Sequence, residues 1–218
     1  MQTVIAACSS LLDYVEAAQR TARTHFPVIA IDKALHSEPD RMKQALLDTI
    51  DALPPEVDTV LVAMGFCGGA WSEVTARRRI VIPRVDDCIS LLLHSDDAFH
   101  PNLKEPGHMY IVEKDPRDFS IEKLFQGTAT EYGSLNQKEL FQMLFGNYKH
   151  LDIVDTGLTD CYSEFYAAEA QKNADKLGAD LDYVPGSNRL LEKLVSGQWD
   201  EQFIVAQPGT SIRHGSFF

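Results

Sequence analysis

The stretch VLVAMGFCGGAWSEV, residues 60–74, decides the fold. Its first residues are apolar without a break, so both alternating faces of a strand there must be covered. That is the signature of a parallel sheet packed on both sides. The strand then stops at Phe66, Cys67, Gly68 and Gly69, which set a thiol and two glycines just past its carboxyl end. Working outward, residues 3–8 (TVIAAC), 27–31 (PVIAI) and 80–83 (IVIP) are short apolar runs of the same kind. Helical patterns separate them. Ser9 and Ser10 cap a stripe of Leu11, Leu12, Val15, Ala18 and Ala22. Ser37 and Pro39 open a second helix with Met42, Leu46, Leu47 and Ile50 inward, closed by Pro54 and Pro55. Residues 86–93 read as a further helix start.

This alternation predicts an α/β fold: three-layer, with a mostly parallel sheet, helices on both faces and right-handed crossovers. Residues 95–133 are richer in proline, glycine and charge, with one clear strand at 108–112 (HMYIV). They are expected to form a long central excursion over the surface, as a lid or subunit contact. The alternation then resumes with a helix at 137–145 and a strand at 151–154 that ends in Asp155, Thr156 and Gly157. A long helix is expected over 161–177, a strand at 181–184, a helix at 188–195 and a last strand at 203–206. Residues 211–218 read as a poorly ordered or oligomer-facing tail. A length of 218 residues suits a single α/β domain over 1–218; two packed halves, about 1–94 and 134–218, are the alternative.

Composition narrows the partners. A net charge of −12 repels polyanions, so nucleic acid is not expected as a ligand. No run of 18 apolar residues exists to span a membrane. Gln2 and Thr3 lead straight into a strand without a basic segment and apolar core, so the expected compartment is the cytoplasm. Thiols stay reduced there, and four cysteines point to packing, metal binding or catalysis before disulfides.

In an open parallel sheet every strand delivers its carboxyl end to the same edge, where ligands bind. Cys8 ends the first strand, His36 lies beyond the second, Cys67 beyond the third, and Arg84, Asp86, Asp87 and Cys88 follow the fourth. Thiolates with imidazole or carboxylate form the ligand set of zinc or another thiophilic ion, and catalytic zinc keeps one position open. Cys67, Cys88 and Cys8 are the expected metal ligands, with His36 as the alternative third. Asp87 and His36 are the expected catalytic groups. Arg84 would clamp an anionic end of a small polar substrate, with Gly68, Gly69 and Asp155 completing its pocket. Each residue also has an ordinary structural reading. Cys8 can be plain core, the glycines a tight turn, one aspartate a helix cap, and Arg84 the partner of Asp86 or Asp87. Cys88 in a first helical turn would have its pKa lowered by the helix dipole. His94 and His100, in the acidic run HSDDAFH, read as solvated loop residues. No C-x-x-C pair, dinucleotide fingerprint, P-loop or G-x-S-x-G elbow is present.

Phe66-Cys67-Gly68, the run Pro83-Arg84-Val85-Asp86-Asp87-Cys88, the early Cys8 and Leu35-His36-Ser37-Glu38-Pro39 together resemble a domain-of-unknown-function family. The likeness extends to Asp155-Thr156-Gly157. Members of that family are often encoded beside corrinoid-dependent methyltransferases, which implies work in one-carbon metabolism and a corrinoid protein or methyltransferase as partner. Some members carry His in place of Asp86, which moves weight to Asp87 and Cys88. The expected function is a zinc-dependent enzyme of methyl transfer on a small polar or anionic substrate. The alternative is an accessory protein that holds a metal, a corrinoid or a methyltransferase partner without turnover. A homo-oligomer is compatible with either.

Overall fold

In the computed structural model of the chain, which describes residues 2–129 and 136–218, the apolar runs pair into mostly parallel sheets with helices between them. β1 (Gln2–Cys8) runs into α1 (Leu12–Ala22), then β2 (Val28–Ile31). A 3-10 turn over Lys33–Ser37 leads to α2 (Pro39–Asp51) and β3 (Val57–Ala63). After a short strand β4 (Val74–Thr75) come β5 (Arg79–Pro83) and α3 (Cys88–Leu93). From there the chain leaves for a second unit, residues 104–186, before returning to the first at Ser187.

The second unit holds β6 (His108–Ile111), α4 (Ile121–Ala129), α5 (Gln137–Phe145), β7 (His150–Asp155), α6 (Glu164–Leu177) and β8 (Asp180–Pro185). The returning chain adds α7 (Arg189–Ser196), β9 (Phe203–Ala206) and β10 (Ser211–Ile212) to the first unit. Residues 130–135, which include the end of the expected excursion at 130–133, lie outside the described residues.

Among the described residues, the first unit contains a five-stranded sheet in the order β2-β1-β3-β5-β9. The first four strands are parallel and β9 is antiparallel to β5. β1 and β3 are buried at consecutive positions, Val4 to Cys8 and Thr59 to Ala63, as their unbroken apolar runs require. α1 packs along α7, and α7 along β3 and β5. The second unit has its own parallel sheet in the order β6-β7-β8. Ile111, Leu151 and Ile153 form its core with Phe145, Tyr166 and Ala170.

Three expectations change. The strands near 151 and 181 do not extend the first sheet but pair with β6 in the second, because an apolar run fixes burial and not the choice of neighbour. The helix expected from Cys161 begins at Glu164, where Ser163 is the cap and its side chain accepts from the Tyr166 N–H at 3.3 Å. Residues 211–218 are neither disordered nor spare. β10 pairs antiparallel with β4, and Phe217 is completely buried, its ring 4.9 Å from that of Phe66. Phe217→Ala should therefore destabilise the protein by about 3–5 kcal/mol, measured as a lower urea midpoint with an unchanged slope. An unaltered midpoint would show that the tail carries no packing energy.

A candidate thiolate and imidazole metal centre

The four parallel strands of the first unit end at one edge, and the predicted thiols and imidazole meet there. Cys8 is the last residue of β1, His36 sits in the 3-10 turn after β2, Cys67 follows β3, and Cys88 opens α3 after β5. Ligand atoms of Cys8, His36 and Cys88 all lie within 4.8 Å of one another, the one such set of three found among the described residues. Cys67 lies next to this set, its thiol near enough to that of Cys88 to raise the Cys88 pKa. Cys88 therefore stands between Cys67 and Cys8. All three thiols are buried and His36 is exposed, so the cluster opens to solvent on the imidazole side.

Local backbone chemistry makes this meeting happen. After β3 the chain must pass close against the loop that follows β5. A Cβ at Gly65 would lie 2.7 Å from the Asp87 N and Cα, so only glycine fits between them. The two loops are then joined by the Phe66 N–H to Val85 O (2.9 Å) and the Cys67 N–H to Asp86 O (2.7 Å). Cys67 adopts a left-handed conformation, with φ of 49°, and Gly68 continues it at 68°. A non-glycine residue held there costs roughly 1–2 kcal/mol, which the loop contacts must offset.

Electrostatics within the cluster oppose ionisation of Cys8 and Cys88 in the absence of a cation. The hydrogen bond and proximity to Cys88, together with burial, push the Cys8 pKa far up. The Cys67 thiol first, then burial, does the same to Cys88, despite its place in the first turn of α3. The expected lowering by the helix dipole is thus overridden: α3 is only six residues long, and burial among thiols outweighs its partial charge.

The donor set suits a thiophilic divalent cation. Two thiolates neutralise its charge, and a bound ion reverses the cost of deprotonating them. Zinc bonds of about 2.0–2.3 Å at tetrahedral angles need donors about 3.5–3.8 Å apart. The observed ligand atoms, within 4.8 Å of one another, are near that spacing. His36 is arranged as metal-binding histidines commonly are. Its Nδ1 is 2.9 Å from Lys33 O, so Nδ1–H donates to the carbonyl and Nε2 keeps the free lone pair.

The other predicted site residues have different occupations. The Asp87 side chain accepts from the Ser90 N–H at 2.9 Å as the cap of α3, the ordinary structural reading for one aspartate of this run. Arg84 does not reach out as a free clamp. Its Nε donates to Ser216 O (2.9 Å), its Nη1 donates to Glu201 O (3.0 Å), and its guanidinium lies 3.9 Å from the Phe99 ring centre. The tail that sequence reasoning left unplaced supplies the first of those acceptors. Gly68 and Gly69 form the 3-10 turn directly after Cys67, both at positive φ. Asp155 belongs to the second unit. There its carboxylate accepts from the Gly157 N–H (2.9 Å) and Tyr162 O–H (2.8 Å), and these bonds hold its pKa below the ordinary carboxylate value. Cys161 is likewise in the second unit, fully buried in its core. His94 is buried and not solvated, with its Nδ1 2.8 Å from Ser90 O.

A family sequence model described as "protein of unknown function (DUF1638)" matches residues 30–195. The chain belongs to the DUF1638 family. No curated protein and no solved structure matches it. The DUF1638 span contains His36, Cys67, Cys88 and Asp155, while Cys8 and the packed tail lie outside it.

Sequence reasoning missed Gly65, because it marked the glycine pair after Cys67 and not the single glycine before it. A glycine immediately after a buried strand was the available signal. Gly65→Ala should cost on the order of 1–3 kcal/mol, since the clash is with backbone that cannot swing away. The same change should also separate Cys67 from Cys88, raising the reactivity of both toward a thiol reagent in the folded state. Wild-type stability and labelling in that variant would remove Gly65 from this role.

Proposed function

We propose that this protein is a metal-dependent enzyme, with zinc the best-fitting ion, acting on a small polar or anionic substrate. The observation that carries the proposal is the convergence of Cys8, His36 and Cys88 within 4.8 Å at the carboxyl edge of the parallel strands. Scattered structural cysteines have no reason to meet an imidazole there. Cys67 stands as the fourth donor or as the thiol beside an open coordination position. When bound, the ion would act as a Lewis acid and keep a coordinated thiol deprotonated near neutral pH.

The residues themselves divide the remaining work. Lys33 O orients the His36 ring and selects its tautomer. Burial of Cys8 and Cys88 keeps water from the thiol side of the cluster. The exposed face of His36 and the turn at Gly68 and Gly69 leave room for a substrate to approach. The resemblance to proteins encoded beside corrinoid-dependent methyltransferases directs the chemistry toward methyl transfer in one-carbon metabolism, with a corrinoid protein or methyltransferase as partner.

A second reading, an accessory protein that holds a metal or corrinoid partner without turnover, draws support from a specific observation. Arg84 and Asp87, the best candidates for binding substrate and moving a proton, are engaged by a backbone carbonyl pair and a helix cap.

Elemental analysis of anaerobically purified protein tests the common premise. About one thiophilic ion per chain is expected at this centre, lost in Cys88→Ser and weakened at least about 10-fold in His36→Ala. Cys67→Gly relieves a left-handed residue, so it should fold as stably as wild type. Full metal retention in that variant assigns Cys67 to the open position, and metal loss assigns it as a ligand. Protein that carries no ion at this centre under any loading condition would sink the proposal.

A further inference from the structure

We propose that the second unit carries a separate binding site for a divalent cation of the zinc class, built on His108 and His150. The two histidines open β6 and β7 and are direct partners in the parallel register. Their rings are stacked, with centroids 4.2 Å apart and planes within 12°. Each ring is anchored in the same way. The Nδ1 of His108 is 2.7 Å from Asp152 Oδ2, and the Nδ1 of His150 is 3.1 Å from Asp182 Oδ2. In the register Tyr110 pairs with Asp152, and Asp152 with Asp182, so each imidazole reaches the carboxylate one strand over and one row along. The same strand-to-strand step relates the two pairs.

Three consequences follow from that repetition. Nδ1 faces a carboxylate and donates to it in both rings, so in the neutral form both Nε2 atoms carry the lone pair. The rings are parallel copies, so both lone pairs face the same side, separated by about one strand spacing or less. A carboxylate behind each imidazole is the arrangement that orients histidine ligands and makes them more basic toward a metal. For zinc-type bonds of about 2.0–2.1 Å the two nitrogens need to lie about 3.4 Å apart with their lone pairs converging, so the rings must turn out of their parallel stack when the ion binds.

Two further observations point to a cation. Asp152 is 1% exposed, and its second oxygen, Oδ1, is buried with no hydrogen-bond partner. A buried carboxylate satisfied at one oxygen only is costly unless positive charge stands nearby. A cation on His108 would supply that charge through the ring. Glu105 offers a third ligand. Its Oε2 is 3.6 Å from His108 Nε2, and its side chain is 74% exposed and free to swing toward the pair. Imidazole with one carboxylate suits zinc, copper, nickel or iron, and not magnesium or calcium. With two neighbouring imidazoles that must reorient and a third ligand recruited on binding, the site is expected to take an exchangeable ion. Sequence alone contained one faint sign of it, the opening histidine shared by HMYI and HLDIVD.

The test uses the full chain, stripped by chelator under reducing, anaerobic conditions and titrated with cobalt(II). The thiolate centre reads out through sulfur-to-cobalt charge transfer, whereas the histidine site has no sulfur and reads out only in total ions bound. Wild type should bind one ion beyond those that give charge transfer. His150→Gln should lose that ion, with at least about 100-fold weaker binding, and keep the charge-transfer signal. Asp182→Asn, on an exposed side chain, should fold normally and weaken the same ion by about 10–100-fold. Cys88→Ser should leave it in place even if the thiolate centre proves empty. The same total stoichiometry and affinity in wild type and His150→Gln would overturn the proposal and leave the stacked pair as a brace between strands.

Discussion

The close passage of Gly65 against the Asp87 backbone is the constraint on which the thiolate centre depends. A parallel sheet brings its strand ends to one edge, but adjacent loops normally diverge as each turns into its own helix. Here the loop after β3 and the loop after β5 are joined by two main-chain hydrogen bonds, made at a separation that no side chain would permit. Cys67 and Cys88 come near each other because those bonds hold. Cys8 then meets Cys88 across the intervening strand, since β1 and β5 flank β3. The sheet order, the missing Cβ and the left-handed turn at Cys67 together convert sequence-distant thiols into one cluster.

That cluster is a group that could hold a cation. Cys8 is held up by the neighbouring Cys88 thiol and by burial, and Cys88 by the Cys67 thiol and by burial, so both shifts run upward. A divalent ion changes the balance because its charge is larger than the mutual repulsion of two thiolates at the same distance. His36 adds a neutral nitrogen whose tautomer is already set by Lys33 O. Its exposure keeps the site from being sealed on every side, in contrast to a closed structural zinc site.

Residues around the cluster serve the loops before they serve any ligand. Arg84 ties the end of β5 to the returning chain and to the tail, while Phe66, one residue before Cys67, packs against His214, Phe217 and Phe218. The final residues thus press on the segment that carries Cys67. Asp87 holds the first turn of α3 and with it the backbone position of Cys88. These groups link the global stability of the first unit to the geometry of the centre.

The unbroken apolar runs by themselves determined the α/β class and parallel pairing, because only a strand covered on both faces can be apolar at every position. With parallel strands established, the side of the sheet that receives Cys8, His36, Cys67 and Cys88 followed from chain direction alone. Much of the candidate centre was legible for that reason. The sequence did not reveal which strands would share a sheet, since apolar runs specify burial and carry no address; β7 and β8 accordingly joined β6. Nor did it reveal that Arg84 and Asp87 were already engaged, because their partners are backbone atoms of residues 90, 201 and 216, and a backbone carbonyl or amide leaves no mark on composition. The stacked pair of His108 and His150 depends on register, and the role of Gly65 on a contact with a loop twenty-two residues on. Distances of that kind exist only once the chain has folded.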